Sequence, residues 1–237
     1  TQWGVFASAG PKSREVLSAV IKDADPASAL SNKRFPWLSA RQIELGMCPV
    51  NAIRVAYTGE LGWELHHPIE MQNYLFDLLE AAGAPHRMKL VGGRAQNWLR
   101  QEKSYRAFGT ELGRDATPLE ADLPRFVDLG KVFQGRDAMQ ALGIRSKCVT
   151  LLIDGPEDAD PWGREALYAA DGTRVGRLTS GGYSVVFEKS IGMGYVRPAH
   201  AAVGSKLKVK ILDQLWDAEI VDDSPYDPKN TVLRVDG

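Results

Sequence analysis

The chain has 237 residues, of which 44% are hydrophobic and 25% charged, and its formal net charge is −1. These values are typical of a globular protein with one large domain or two smaller ones. The near-zero charge gives no basic excess for binding nucleic acid or an anionic membrane surface. No apolar run approaches the roughly 20 residues of a membrane-spanning helix. The sequence therefore argues against a nucleic-acid-binding protein, a protein of anionic membrane surfaces and a membrane-spanning protein.

The first residues, "TQWGVFASAGP", lack the charged and apolar regions of a signal peptide and predict a buried strand ending at a Gly-Pro turn. Because the chain opens inside this predicted strand, we expect it to be cut from a longer protein. Its two cysteines, Cys48 and Cys148, predict reduced core thiols in the cytoplasm or the mitochondrial matrix. No metal site is predicted, because no His/Cys cluster has ligand spacing.

The first 145 residues alternate between helical and strand patterns. The stretch "SREVLSAVIKDA" has apolar residues at helical spacing, with Ser13 as its predicted cap. Residues 39–68 predict two or three strands, with a turn at "TGE". Two further helices are predicted over "EMQNYLFDLLEAAGA", which closes at Gly83, and over "GGRAQNWLRQEKSY". This order of elements predicts an α+β arrangement.

From about Lys147 the sequence consists of short β-rich runs separated by turn signals. The stretch "ADGTRVG" predicts a hairpin with an Asp-Gly turn. The stretch "TSGG" at 179–182 predicts a turn between strands, because no lysine follows to make it a phosphate loop. Evenly spaced short strands predict a small barrel or sandwich. We therefore predict one domain at residues 1–145 and a C-terminal β-barrel domain at 146–237.

The segment "YTGELGWEL" carries the candidate chemistry. In a regular strand Leu61, Trp63 and Leu65 share one face, and Glu60 and Glu64 share the other. A carboxylate beside aromatic rings can accept two parallel N–H bonds from a planar group such as the aminopyrimidinone of a pterin. From the residues alone, solvated surface acids on a hairpin are the alternative, and both interpretations stay open.

Several motifs, in the same order along the chain, resemble those of the folate-binding aminomethyltransferase family, which includes the glycine cleavage T-protein. They are "GVFASAGPKSREVL", "RVAYTGELGWELHHP", "WLRQEKSYRAFGTELGRDATPLEADL", "FVDLGKVFQGRDAM" and "GRLTSGGYSVVFEKSIGMGYV". Two of them resemble the C-terminal folate-binding region of dimethylglycine and sarcosine dehydrogenases more than a stand-alone T-protein. The resemblance implies an α+β fold that is part of the aminomethyltransferase cloverleaf. A ferredoxin-like α/β folate-binding region, N-terminally incomplete here, would be followed by a C-terminal β-barrel.

The resemblance also implies a function, that of a tetrahydrofolate-binding one-carbon-transfer module. In dehydrogenases of this type an upstream FAD domain oxidises an N-methyl group of a methylated amine. The folate module then captures the carbon as methylenetetrahydrofolate. FAD is therefore expected only in a presumed upstream domain of the parent chain, and the chain by itself is expected to be catalytically incomplete.

The resemblance points to four residues of this sequence for the pterin pocket. Glu64 matches the glutamate that hydrogen-bonds the pterin ring, and Tyr57 matches a tyrosine of the folate site. Trp63 and Tyr105 are predicted to line the ring pocket. The resemblance places the acidic residue that assists the one-carbon chemistry upstream of this chain, so no catalytic residue is assigned.

The predicted helix at "WLRQE" adds two more candidates for folate binding. Arg100 matches a helix arginine of the family, and two roles stay open for it: a ligand contact, or an ion pair with Glu102, Glu120 or another acid. A second family arginine, which binds folate in the T-proteins, is replaced here by Gln96. An amide at this position can still donate and accept neutral hydrogen bonds.

Three alternatives to the dehydrogenase interpretation stay open. The first is a folate-dependent methyltransferase or demethylase of the same fold. The second is a non-catalytic regulatory module, because the regulatory subunit of pyruvate dehydrogenase phosphatase resembles this family and a fold does not fix an activity. The third is a folate-binding protein of iron–sulphur assembly, whose characteristic Cys-containing motif is not seen in this sequence.

Overall fold

The computed structural model of the protein describes residues 2–156 and 158–236. The chain forms two compact units. The first contains the residues up to Gly93 together with those from Lys229 onward, and the second contains Arg94–Pro228. No helix in the described ranges is long and apolar enough to cross a membrane. The division of the sequence into domains at residues 145 and 146 stays a prediction.

The first unit is a four-stranded antiparallel sheet with helices on one face. Its elements are β1 (Trp3–Ala9), α1 (Ser13–Ser18), α2 (Pro26–Ala29), β2 (Ala40–Leu45), β3 (Cys48–Ile53), β4 (Gly62–Pro68) and α3 (Gln72–Gly83). The strand order is β1-β4-β3-β2, so β4 is an inner strand. The core lies between the sheet and α1 and α3, and it includes Leu17, Phe35, Leu45, Val50, Leu65 and Leu75.

The helix prediction over "EMQNYLFDLLEAAGA" is confirmed, since α3 ends at Gly83. The helix at "SREVLSAVIKDA" is shorter than predicted, because Ile21 leaves the helix and forms a β-bridge with Leu45. The prediction that Ser13 caps this helix is wrong. Ser13 is the first helical residue, and its hydroxyl donates to the backbone carbonyls of Gly10 and Leu61 at 2.7 and 2.9 Å.

Strand β1 was predicted to be buried, but it is the edge strand of the sheet. Every second residue of β1 points away from the helices, and Trp3 and Val5 on that face are about half exposed. The prediction therefore identified the strand correctly and its burial wrongly. Apolar composition alone does not distinguish an edge strand from an inner one, because that difference depends on which strands pair.

The second unit begins with a helix and ends with a barrel. Its elements are α4 (Gly93–Glu102), which starts at the boundary, α5 (Arg136–Leu142), β5 (Lys147–Ile153), β6 (Ala166–Tyr168), β7 (Arg174–Ser184), β8 (Lys189–Val196), β9 (Lys206–Ile211) and β10 (Gln214–Val221). The six strands close in the order β10-β5-β8-β7-β6-β9, all antiparallel. The predicted α+β class with a β-barrel is confirmed.

The barrel interior is filled by apolar side chains from every strand, including Leu151, Leu167, Leu178, Val196, Val209 and Ile220. The predicted hairpin is confirmed: β6 pairs with β7 across a turn at Asp171 and Gly172. The Asp171 carboxylate accepts the backbone N–H of Thr173 at 2.8 Å, and Gly172 adopts a φ of 81°. An Asp-Gly pair suits this turn because glycine reaches positive φ without steric cost.

The prediction of a turn at "TSGG" is wrong, because residues 179–182 lie inside the continuous strand β7. Here glycine is needed for close approach rather than for turning. A Cβ on Gly181 would lie 2.5 Å from the carbonyl oxygen of Pro161, and a Cβ on Gly182 would lie 2.1 Å from the Trp98 ring. Glycine inside a strand can mark such a contact as well as a turn.

A buried carboxylate ties the segment before the barrel to its first strand. The Glu120 side chain is fully buried and accepts two hydrogen bonds from the Arg145 guanidinium, at 2.8 and 2.9 Å. It also accepts the backbone N–H of Thr117 at 2.8 Å, while the Glu120 carbonyl accepts the N–H of Cys148. Hydrogen bonds from Arg145 lower the pKa of Glu120 from 4.5 to about 2, against the opposing effect of burial.

We expect Glu120→Gln to lower the free energy of unfolding by about 1–3 kcal/mol, because it leaves buried donors without an acceptor. The folded-state pKa lies below the unfolded one, so the Glu120 contribution is present above pH 4.5 and is lost as the pH falls towards about 2. Urea unfolding between pH 6 and about 2.5 should therefore show a shallower decline for the variant. Glu188→Gln, at an exposed position, is the control, and equal slopes for the Glu120 variant and the wild type would contradict this account.

We expect Gly182→Ala to destabilise the second unit by about 1–3 kcal/mol, because the added methyl group overlaps the Trp98 ring and forces the packing to shift. Gly113→Ala is the matched control, since a Cβ there would meet no atom of the described residues within 4 Å. Thermal unfolding of both variants measures the difference. An unchanged midpoint for Gly182→Ala would show that the ring moves without cost.

Candidate functional site

The six predicted site residues fall into two groups, one in each unit. The first unit contains Tyr57, Trp63 and Glu64, and the second contains Gln96, Arg100 and Tyr105. Their roles in binding a ligand stay predictions, and the structure shows which of their side chains are placed to be reached.

Glu64 lies on β4, whose side chains alternate between core and surface. Trp63 and Leu65 are fully buried, whereas the Glu64 side chain is 39% exposed. The separation of the Leu61, Trp63 and Leu65 series from Glu64 is therefore confirmed. Inner-strand pairing holds the Glu64 backbone on both sides, because β1 and β3 flank β4.

The neighbours of Glu64 on its exposed face leave its carboxylate accessible. Across the strands Glu64 pairs with Ala7 on β1 and with Ile53 on β3. Neither residue offers the carboxylate a hydrogen bond from its side chain. Within residues 2–156 and 158–236, His66 is the side chain that reaches it, with Nε2 3.4 Å from Glu64 Oε2. This long contact leaves the carboxylate with unused acceptor capacity.

A pocket of about 430 Å³ lies on the same face of the sheet. His66 and Ile53, the neighbours of Glu64, are part of its lining, together with Trp3, Gln42 and Asn51. An exposed indole and two side-chain amides are suited to stacking against a flat polar ring and to hydrogen bonding with its edge. These three residues were not predicted from the sequence. The alternation of β1, β2 and β3 was the available signal, but only strand pairing brings the three residues to the face of the sheet that carries His66.

The loop between β3 and β4 carries Tyr57, which is partly buried. Gly59 has a φ of 80°, so the predicted turn at Thr58-Gly59-Glu60 is confirmed and requires glycine at its centre. The hydroxyl of Thr58 is buried and has no hydrogen-bond partner among the residues that the structure describes. Buried hydroxyls are normally paired, so this loop retains a polar group that a bound molecule or water would satisfy.

Trp63 was predicted to line a ring pocket, and the structure places it elsewhere. Its side chain is fully buried on the core face, opposite to Glu64, with its ring edge-on to Phe35. The guanidinium groups of Arg14 and Arg54 lie 5.9 and 5.6 Å from its ring centroid. Adjacent strand residues point to opposite faces, so Trp63 cannot stack on a ring held by Glu64 across the exposed face. Trp63 therefore packs in the core of the first unit.

In the second unit, helix α4 carries the candidate Gln96 on its exposed side. Gln96 is exposed, and its amide is available for neutral hydrogen bonds. Trp98, two residues on, packs against Gly182 and meets the ring of Tyr183 edge-on at 6.5 Å between centroids. The helix is therefore fixed to strand β7 on one side while Gln96 stays accessible.

Arg100 is 2% exposed and its guanidinium is fully engaged. Its Nη1 donates to Glu111 Oε2 at 2.9 Å and to the carbonyl of Tyr105 at 2.7 Å, its Nε donates to Asn97, and its Nη2 donates to the Ser180 hydroxyl. The ion-pair alternative for Arg100 is therefore supported, with Glu111 as its partner. The alternative that Arg100 contacts a ligand stays a prediction.

The Glu111 carboxylate, which sequence analysis did not single out, is the centre of this network. It accepts hydrogen bonds from Arg100, from the hydroxyls of Thr179 and Ser180, and from the backbone N–H of Ala107. Burial alone would raise its pKa, but the Arg100 charge and these hydrogen bonds outweigh burial and hold the pKa below its usual value. The "TSGG" stretch thus contributes two hydroxyls to a buried carboxylate.

Tyr105 lies directly after α4 and is partly buried. Its backbone N–H donates to the carbonyl of Arg100, and its own carbonyl accepts from the Arg100 guanidinium. Its backbone position is therefore determined by the buried ion pair. Its predicted contact with a ligand ring stays a prediction.

The sequence matches two protein-family models over most of its length. Residues 1–131 match the GCVT N-terminal domain, and residues 147–227 match the glycine cleavage T-protein C-terminal barrel domain. The chain therefore belongs to the glycine cleavage T-protein family, as its motifs indicated.

Individual relatives refine this assignment. The chain is 38% identical to dimethylglycine dehydrogenase, mitochondrial, of Homo sapiens over 92% of its own length and 25% of the relative. It is 32% identical to sarcosine dehydrogenase, mitochondrial, of Mus musculus over 98% of its length and 26% of that protein. The chain thus spans about a quarter of the length of these relatives.

A solved structure shares the fold of the whole chain. The glycine cleavage system aminomethyltransferase T from Bartonella henselae superposes with a TM-score of 0.81, covering 99% of this chain and 61% of that one. The two sequences are 23% identical, so this likeness supports the aminomethyltransferase fold and no more.

We expect the buried pair Arg100 and Glu111 to be strongly coupled in stability. Arg100→Met and Glu111→Gln should each cost about 3–5 kcal/mol, since each leaves a buried group uncompensated, and the double variant should cost less than their sum. Urea unfolding of the three variants measures the coupling. Lys189→Met, which breaks an exposed pair with Asp154, should cost only about 0–1 kcal/mol, and additive costs at Arg100 and Glu111 would contradict the network.

Proposed function

We propose that this chain is a tetrahydrofolate-binding one-carbon-transfer module. We further propose that it forms the C-terminal part of an FAD-dependent dehydrogenase of the dimethylglycine or sarcosine type, which passes an oxidised N-methyl carbon to folate. Family membership and the names of the relatives support this proposal. The observation that carries it is the accessible carboxylate of Glu64 beside a pocket on the exposed sheet face.

The residues of the first unit fit the pterin end of a folate. Glu64 is a carboxylate with one long contact, and it can accept paired N–H bonds from the aminopyrimidinone ring. The unpartnered hydroxyl of Thr58 lies one residue from Tyr57 in the "YTGE" loop, among residues the structure describes. Both groups have the polar character that a pterin edge needs. Glu64 and Tyr57 are thus the residues we propose to hold the ring.

The contribution of this chain to the reaction is positioning. Tetrahydrofolate, when bound, supplies the N5 and N10 nitrogens that accept the one-carbon unit. Glu64 would fix the ring orientation, and the rigid backbone of an inner strand would limit its movement, which favours reaction by proximity and orientation. A pocket that excludes water would also protect a reactive one-carbon unit from hydrolysis. We propose no proton transfer by Glu64.

The same fold leaves a second function open, that of a methyltransferase or demethylase that uses folate without an FAD domain. The names of the first relatives, which are dehydrogenases, favour the first proposal. A GxGxxG strand–turn–helix encoded upstream of this chain would support the FAD-dependent reading. A folate-dependent transferase without that motif upstream would support the second.

Titration calorimetry with 5-formyltetrahydrofolate tests the folate proposal directly. We expect the chain to bind it, and Glu64→Gln to weaken binding about 10- to 150-fold, because a hydrogen bond to a charged group contributes about 1.5–3 kcal/mol. Glu64 is partly exposed, so its replacement should leave the thermal midpoint nearly unchanged.

Glu70→Gln is the matched control, because Glu70 is exposed and lies just beyond the end of β4. It should bind 5-formyltetrahydrofolate as the wild type does. Equal weakening by both variants would assign the effect to net charge rather than to a specific contact. Absence of binding by the wild-type chain and by its longer parent would contradict the proposal and favour a regulatory module.

A further inference from the structure

The second unit contains a pocket of about 440 Å³ whose lining includes none of the six predicted site residues. Its walls come from the loop 109–116 and from the neighbouring ends of β7 and β8. The polar side chains of the lining include Arg174, Arg177, Arg197, Ser146, Thr110 and Tyr195. Three of the lining residues are therefore arginines, which carry a positive charge at neutral pH.

The barrel topology brings these arginines together. Arg174 and Arg177 lie at the start of β7, and Arg197 follows the last residue of β8. Because β7 and β8 are antiparallel neighbours, the start of one lies beside the end of the other. The N–H of Arg197 donates to the carbonyl of Val175 at 2.9 Å, and Arg177 pairs in register with Tyr195. Their backbones are thus held by the sheet.

The opposite wall of the pocket is also fixed. The phenol of Tyr195 donates to the backbone carbonyl of Glu111 at 2.7 Å, and the Thr179 hydroxyl donates to the Glu111 carboxylate at 2.7 Å. Burial raises the pKa of Tyr195 well above its usual value, so the phenol keeps its donor hydrogen at neutral pH. The pocket is therefore a preformed cleft between a barrel edge and an anchored loop.

The charges of the pocket are unbalanced. Arg174, Arg177 and Arg197 are exposed, and none makes an ion pair or a side-chain hydrogen bond with any residue of 2–156 or 158–236. Of the two acids in the lining, Glu111 is neutralised by its buried pair with Arg100. Asp115 remains as a single opposing carboxylate. Three arginine residues thus line one cleft, and among the lining residues Asp115 is the acid left without a buried partner.

We propose that this pocket binds a small polyanion, a molecule with two or more carboxylate or phosphate groups. A guanidinium group presents a planar fork of donors that matches both kinds of anionic oxygen. The volume of the pocket lies in the range of small-molecule sites. The hydroxyl of Ser146, in the same lining, adds a neutral donor. This proposal is independent of folate binding, since it rests on other residues.

Calorimetric titration of the chain at low ionic strength tests the proposal with two probes, pyrophosphate and citrate. We expect at least one to bind with a stoichiometry near one, and added salt to weaken its binding through screening. Binding of pyrophosphate alone assigns a phosphate ligand, and binding of citrate alone assigns a polycarboxylate. Binding of both supports a site for anionic oxygens in general.

The substitutions Arg177→Gln and Arg197→Gln should each weaken binding about tenfold, the order expected for loss of a hydrogen bond to a charged group. Both side chains are exposed, so the fold should be unaffected, which the thermal midpoint checks. The matched control is Arg125→Gln, which removes another exposed arginine of the second unit that is not part of the pocket lining. No binding of either probe, or an equal loss with Arg125→Gln, would overturn the proposal.

Discussion

The alternation of side chains along β4 is the constraint on which the first unit and its candidate site both depend. One set of residues, Trp63 and Leu65, is fully buried between the sheet and its helices, while Glu64 between them is left accessible. A shift of one residue in register would bury the carboxylate and expose the indole. The hydrophobic core therefore selects the register, and the register in turn presents the carboxylate.

In the second unit the central charged groups are buried, whereas the carboxylate of Glu64 in the first unit is accessible. Arg100 and Glu111 are taken out of solvent and satisfied by one another and by the hydroxyls of strand β7. A buried pair of this kind adds little net stability compared with apolar packing, but losing either partner is costly. It joins helix α4, the loop after it and the barrel into one arrangement. The arginines of the polyanion pocket, by contrast, remain exposed.

Much of the fold could be predicted because local patterns and tertiary demands agree there. The α3 helix and the Asp-Gly hairpin have the periodicity and turn chemistry of their final structures. The errors arose where one residue type serves two purposes. Glycines at 181 and 182 were expected to turn the chain, but they lie inside β7 and allow Pro161 and Trp98 to approach it closely. Ser13 was expected to cap a helix, and it instead bonds two carbonyls, one of them 48 residues away.

By itself the sequence determined the α+β class, the barrel, the family and the separation of Glu64 from its apolar neighbours, because these follow from periodicity and motif. Burial and strand pairing, in contrast, place Trp63 in the core, make Glu111 the partner of Arg100, and bring Trp3, Gln42 and Asn51 near His66. The physical reason is that strand pairing and burial are non-local. They bring together residues whose separation along the chain carries no periodic signal.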